Sequence, residues 1–188
     1  MWVSELQLFI AMKKKPDGFQ QRSEVVYSVE DSIFSISKTE VDFLRDVAER
    51  SSLRKARVLL HGSPETELHE MLIVHSFGQY IQPHINDHSA KSFLVLDGAM
   101  VVVMYRDGGS INDHVHLGEF GSNMPFLLRL EEPVFHTVVS ISNTVTFLET
   151  IKGPHMETHY APFSPAPNDK SESEKYMMWL MEELAIKR

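Results

Sequence analysis

The sequence contains no cysteine. That removes disulfides, thiolate nucleophiles and Cys-ligated zinc from consideration, and it fits a reducing compartment. An excess of positive charge is also missing: 18 Lys and Arg stand against 26 Asp and Glu, a net charge of −8. A chain of that sign repels phosphate backbones, so nucleic acid is not expected as a partner. The short basic runs at Lys13, Lys14 and Lys15 and at Arg54, Lys55 and Arg57 read as solvated surface. No apolar run reaches the roughly 20 residues that span a bilayer. The opening MWVSELQLFIAM carries Glu5 and precedes its basic run, the wrong order for a secretory leader. The expectation is a cytoplasmic protein without a membrane partner, whose N-terminal segment packs on its own domain or on a neighbouring subunit. There is no phosphate-cradling Gly-rich loop and no dinucleotide fingerprint, and HEML at His69 and Glu70 lacks the second His of a zincin helix.

What is present points to one domain, since 188 residues bury an adequate core without staples. Ser37 and Glu40 have capping-box spacing, and Val41, Leu44, Val47 and Ala48 follow at helical spacing. A helix is expected at about 38–51, preceded by loop and at most a short strand over 16–30. From 56 to 150 the texture is all-β: short Val-, Ile-, Phe- and Leu-rich runs separated by Gly, Asn and Asp turns, the pattern of a closed antiparallel barrel or sandwich. Asp97-Gly98 between two apolar runs signals a hairpin. Pro154, Pro162, Pro165 and Pro167 argue against any strand or helix over 153–169. A last helix at about 172–187, capped by Ser171, is expected to bury Tyr176, Trp179, Leu180 and Leu184. The organisation is a segment 1–55 packing on a barrel 56–152, then a loop and helix over 153–188.

All ten histidines fall between His61 and His159, and imidazole is the commonest metal ligand. In PHINDH, His84, Asn86 and His88 share strand parity, and His136 lies in the apolar strand VFHTVV. A barrel can aim side chains from such distant strands at one interior point; a hydrogen-bonded core histidine is the plainer alternative. His114 and His116 share a face that reads as exposed. His155 and His159 lie where a loop could cover a barrel mouth.

Over residues 53–167 the chain resembles the WbuC-type cupin-fold metalloproteins. The blocks that carry the resemblance are ARVLLH, LHEMLIV, PHINDHSAKSFLVLDG, VFHTVVSIS, and FLETIKGP followed by YAPFSPAP. The resemblance implies a mainly β, cupin-type jelly-roll barrel with a metal site inside. The family pattern, PHxH with a downstream Glu and a later His, falls here on His84, Asn86, Lys91 and His136. Asn is a poorer ligand than imidazole, and an ammonium repels a cation. Any zinc, iron or manganese is therefore expected on His84 and His136 with help from His88, weakly held, and Lys91→Glu is expected to tighten it. Arg129 and Glu149 fall on further family positions. They are expected to point into the same cavity, with Lys91 and Tyr80 lining it; the alternative is a structural ion pair. The family's association with bacterial surface polysaccharides implies a small-molecule ligand, a sugar or sugar nucleotide, and a homodimer is expected. Two functions remain open: a metal-dependent isomerase or epimerase, and a non-catalytic ligand-binding cupin whose metal site is degenerate.

Overall fold

The computed structural model describes residues 13–86, 90–154 and 157–186. The expectations for the opening segment 1–12 and for His88 and His155 lie outside the described residues.

Two strands come first, β1 (Phe19–Gln21) and β2 (Val26–Val29), then a helix, α1 (Lys38–Arg50), then β3 (Lys55–Leu59). β2 pairs with β3 in parallel. A parallel pair needs a crossover, and α1 supplies it. The stretch 16–30 thus holds two strands where the sequence showed little more than loop, because three or four residues are too few to display a readable alternation. The capping box is formed: the Ser37 hydroxyl accepts from the Thr39 amide, and the Glu40 carboxylate accepts from the Ser37 amide at 2.8 Å.

The remaining strands are β4 (Leu68–Ser76), β5 (His84–Asn86), β6 (Lys91–Asp97), β7 (Ala99–Tyr105), β8 (Ile111–Gly118), β9 (Leu127–Leu130), β10 (Phe135–Ser140), β11 (Thr144–Lys152) and β12 (Thr158–Tyr160); the helix α2 (Lys170–Glu183) closes the order. They form two sheets, β1-β2-β3-β4-β11-β6-β9 and β12-β5-β10-β7-β8. The fold is mainly β, a two-sheet jelly-roll sandwich with two flanking helices. Its sheets face each other as two layers, the sandwich form of the barrel or sandwich that the sequence suggests.

Strand parity assigns the layers. On β7, Met100, Val102 and Met104 face the other sheet, while Val101, Val103 and Tyr105 face α2. Burial on both faces is why AMVVVMY reads as an unbroken apolar run. Phe43, Leu44, Val47 and Ala48 of α1 pack with Val58, Leu72 and Val74 on the outside of the larger sheet. Arg45 of α1 also reaches Asp97 and the Thr146 hydroxyl.

Three local expectations need correction. Asp97-Gly98 is not a hairpin, because β6 and β7 lie in different sheets. Gly98 has φ +79°, and a side chain there would collide with the Thr144 carbonyl, so the turn is a corner between layers. β12 is a strand inside the proline-rich stretch; three proline-free residues suffice at a sheet edge, where they pair with β5. α2 is capped by Asp169, whose carboxylate accepts from the Glu172 amide. It buries Ser173, Met177, Leu180 and Leu184 and leaves Trp179 39% exposed. Met177 therefore belongs to the core. No helix among the described residues is long and apolar enough to cross a membrane.

Candidate ligand site at one end of the sandwich

The interior between the sheets is apolar along most of its length, lined by Phe93, Val95, Val102, Val138 and Phe147. At one end it changes character. His84 and Asn86 point inward from β5, Lys91 from the start of β6, His136 from β10 and Glu149 from β11. The parity is that of their neighbours: Lys91 with Phe93 and Val95, His136 with Val138, and Glu149 with Phe147. His84 and His136 are directly paired across β5 and β10, with ring centroids 4.7 Å apart. His136 and Lys91 are buried; His84, Asn86 and Glu149 are half-buried and form the rim.

Both imidazoles are oriented by backbone carbonyls. Nδ1 of His84 lies 3.0 Å from the Gln82 carbonyl, and Nδ1 of His136 lies 2.8 Å from that of Val134. A carbonyl only accepts, so each Nδ1 carries the proton and each Nε2 is left as an acceptor. Nε2 of His136 receives Lys91 Nζ at 3.2 Å. Nε2 of His84 makes no hydrogen bond among the described residues. Burial, reinforced by the Lys91 charge, lowers the His84 pKa to about 4. The same causes hold His136 well below the ordinary imidazole value. Both rings are neutral near pH 7.

The Lys91 ammonium is the centre of the cluster. Besides His136, it donates to Asn86 Oδ1 at 2.9 Å and lies 3.5 Å from Glu149 Oε1. Asn86 is held in turn by its amide donating to Thr158 Oγ1 at 3.0 Å. Among the described residues the donor set does not fit a divalent ion. Zinc needs ligands about 2.0–2.2 Å away, and here an ammonium sits among the groups that would supply them. No set of three or more His, Cys, Asp or Glu is arranged to hold an ion among the described residues. Of the residues expected to hold zinc, iron or manganese, His84 and His136 lie side by side with the Lys91 ammonium on His136, and His88 lies outside the described residues.

Two expected pocket residues lie elsewhere. Arg129 is on β9, an edge strand, with Leu127 on its solvent face. It is 57% exposed and ion-paired with Glu131, and it does not meet Glu149. Arg129→Ala is expected to leave both the melting temperature and ligand affinity unchanged, measurable by calorimetry; a weakened ligand would place Arg129 at the site. Tyr80 packs against Tyr176 and donates to the Pro165 carbonyl at 2.7 Å. Burial raises its pKa to about 12. It is a strut under α2.

Thr158 and Tyr160 were not foreseen at the site. They come from β12, opposite Asn86 and His84. The Tyr160 ring is 60% exposed and lies 6.3 Å from the His84 ring. The only signal for them was strand parity in a segment dominated by prolines. His159, between them, is exposed on the opposite face of β12. His114 and His116 lie on the outer face of β8, their rings 5.5 Å apart.

Residues 36–117, less than half of the chain, match a family described as a domain of unknown function (DUF6016). No curated protein matches the chain by sequence. Among solved structures, an oxalate oxidase is similar at 12% identity over 73% of this chain and 69% of its own, with a TM-score of 0.48. A cupin superfamily protein from Desulfitobacterium hafniense is similar at 13% identity over 58% and 86% of the two chains, TM-score 0.44. Peruvianin-I, a cysteine peptidase from Thevetia peruviana latex, is similar at 14% identity over 50% of this chain, TM-score 0.41, and is matched over 55% of its own length. Similarities of this size speak to no ligand or reaction.

Proposed function

We propose that this domain binds a small, hydroxyl-bearing ligand at the end of the sandwich ringed by His84, Asn86, Glu149 and Tyr160, without chemistry of its own. The observation that carries this reading is the His84 imidazole. Its Nδ1–H is committed to the Gln82 carbonyl, so a neutral Nε2 is fixed as an acceptor beside an exposed tyrosine ring. A hydroxyl can donate to it while an apolar ring face lies on Tyr160. That is the usual composition of a ligand site, an apolar wall with a few convergent polar groups. Sugars meet both demands, and a sugar or sugar nucleotide of bacterial surface-polysaccharide metabolism is the ligand class the sequence resemblance suggests. A cytoplasmic setting and a homodimer belong to the same reading. Large apolar side chains at Leu96, Phe120, Phe126 and Leu127 are exposed, and they offer a contact surface for the homodimer. The isomerase or epimerase alternative is disfavoured, because it relies on an ion the donor set does not fit.

The test is a calorimetric and thermal-shift panel of neutral monosaccharides and sugar nucleotides. At least one is expected to bind. His84→Ala is expected to weaken it by about tenfold, the worth of one hydrogen bond near 1 kcal/mol or slightly more. A silent panel removes the sugar class; a ligand that binds His84→Ala as tightly as wild type removes the site.

A further inference from the structure

We propose that Lys91 is the resident cation of this site: its ammonium holds the place a divalent ion would take among His136, Glu149 and Asn86, and removing it opens a transition-metal site. The inference concerns the same site as the ligand reading but makes no use of its ligand.

The surroundings of Nζ are the first argument. An imidazole nitrogen at 3.2 Å, an amide oxygen at 2.9 Å and a carboxylate oxygen at 3.5 Å converge on it from three different strands. Each of those atoms is a metal donor by type. Their common focus is the one point from which a cation touches all three, and it is filled from within the chain. The orientation of the imidazoles is the second argument. A backbone carbonyl takes Nδ1–H of both His84 and His136, which turns each Nε2 lone pair inward, as second-shell contacts do for ligating histidines. In His136 that lone pair is spent on Lys91.

Burial is the third. Lys91 is 4% exposed, and its stem runs beside Phe93, whose ring centroid is 5.7 Å from Nζ. A buried ammonium is costly unless paired and hydrogen-bonded. An ammonium has three donors, and here they face three acceptors. Glu149 balances the charge, so the cluster of Lys91, Glu149 and two neutral imidazoles is neutral overall. A divalent ion added to it would face one carboxylate and one ammonium, and would first have to expel the latter. A site built this way keeps its polar groups in place without taking up metal, and whatever it binds should be insensitive to chelators.

The test uses full-length protein purified without a His tag and stripped with chelator, titrated with Co2+ and Mn2+ by calorimetry. Cobalt d–d absorption reports the ligand geometry. Wild type is expected to take up no stoichiometric ion at concentrations that saturate Lys91→Ala. Lys91→Ala is expected to bind one Co2+ at least 100-fold more tightly than wild type, and to lose it when His136→Ala is added. Lys91→Glu provides a second route. If the uncompensated carboxylates unfold it, recovery of its β-sheet circular dichroism on adding Co2+ is the same positive result. One tightly bound ion on wild type, abolished by His136→Ala, overturns the proposal without recourse to any Lys91 variant. Failure of both Lys91 variants to bind Co2+, folded or not, overturns it equally. No sugar enters the assay, so its outcome is independent of the ligand panel.

Discussion

Lowering the pH from about 7 to about 5 is expected to cost this domain a substantial share of its stability. Three histidines are held neutral by their surroundings: His75 and His136 are buried and His84 is half-buried. His75 lies between the sheets against the Phe147 ring, 5.2 Å away, and its Nδ1 has no hydrogen-bond partner among the described residues. Burial, with Lys55 and Arg57 adding to it, lowers its pKa to about 3. His84 stands at about 4 and His136 lies well below its ordinary value, both by burial and then by Lys91. In the unfolded chain each ring takes its proton near pH 6.5. Between 6.5 and these lower values the unfolded state binds more protons than the folded one, so stability falls as pH falls. At pH 5 the loss is about 2 kcal/mol for each of His75 and His84, about 4 kcal/mol for the two, and His136 adds to it in the same direction. A domain has only about 5–15 kcal/mol in total. Urea melts from pH 7.5 to 4.5 should show this slope, and His75→Phe should reduce it by about one proton. A flat stability between pH 7 and 5 would mean that these imidazoles are not buried as described.

Local signals in the sequence translated well into structure. Ser37 and Glu40 act within one helical turn, so their spacing alone sets the start of α1. The run AMVVVMY is apolar on both faces because two different layers cover it. Parity put His84 and Asn86 on one face of their strand, and in the structure His84 lies directly across from His136 of β10 while Asn86 lies across from Thr158 of β12. The readings that failed depend on which strand lies beside which. Asp97-Gly98 has hairpin chemistry, but a turn residue carries no record of the sheet that the next strand enters. In FLLRL either alternate set could face inward, and a one-residue change of register exchanges the faces; Arg129 fell on the outer one. Lys91 was legible as adverse to a metal. That its ammonium is buried and meets three acceptors required the partners from β5, β10 and β11.

Phe93→Ala is expected to be the most damaging single truncation near the site. Phe93 is fully buried between the sheets, with ring centroids 6.0 Å from His136 and 6.2 Å from Phe147. Removing a ring from such a position costs about 3–5 kcal/mol in lost transfer energy and cavity formation. In a domain of this size each kcal/mol shifts the melting temperature by about 2–4 °C, so a drop of about 6–20 °C is expected. The ring is also the floor on which the Lys91 ammonium rests, within the roughly 6 Å at which a cation feels an aromatic face. Phe19 is a suitable control: it is equally buried but lies under α1, on the far side of the larger sheet. Phe19→Ala should lower the melting temperature by a similar amount and leave ligand affinity unchanged. Phe93→Ala should lower both, because without the ring the Lys91 stem loses its support and the hydrogen bonds from Nζ to Asn86 and His136 slacken. If the two variants change ligand affinity equally, the effect is global destabilisation, and Phe93 has no part in holding the polar cluster in place.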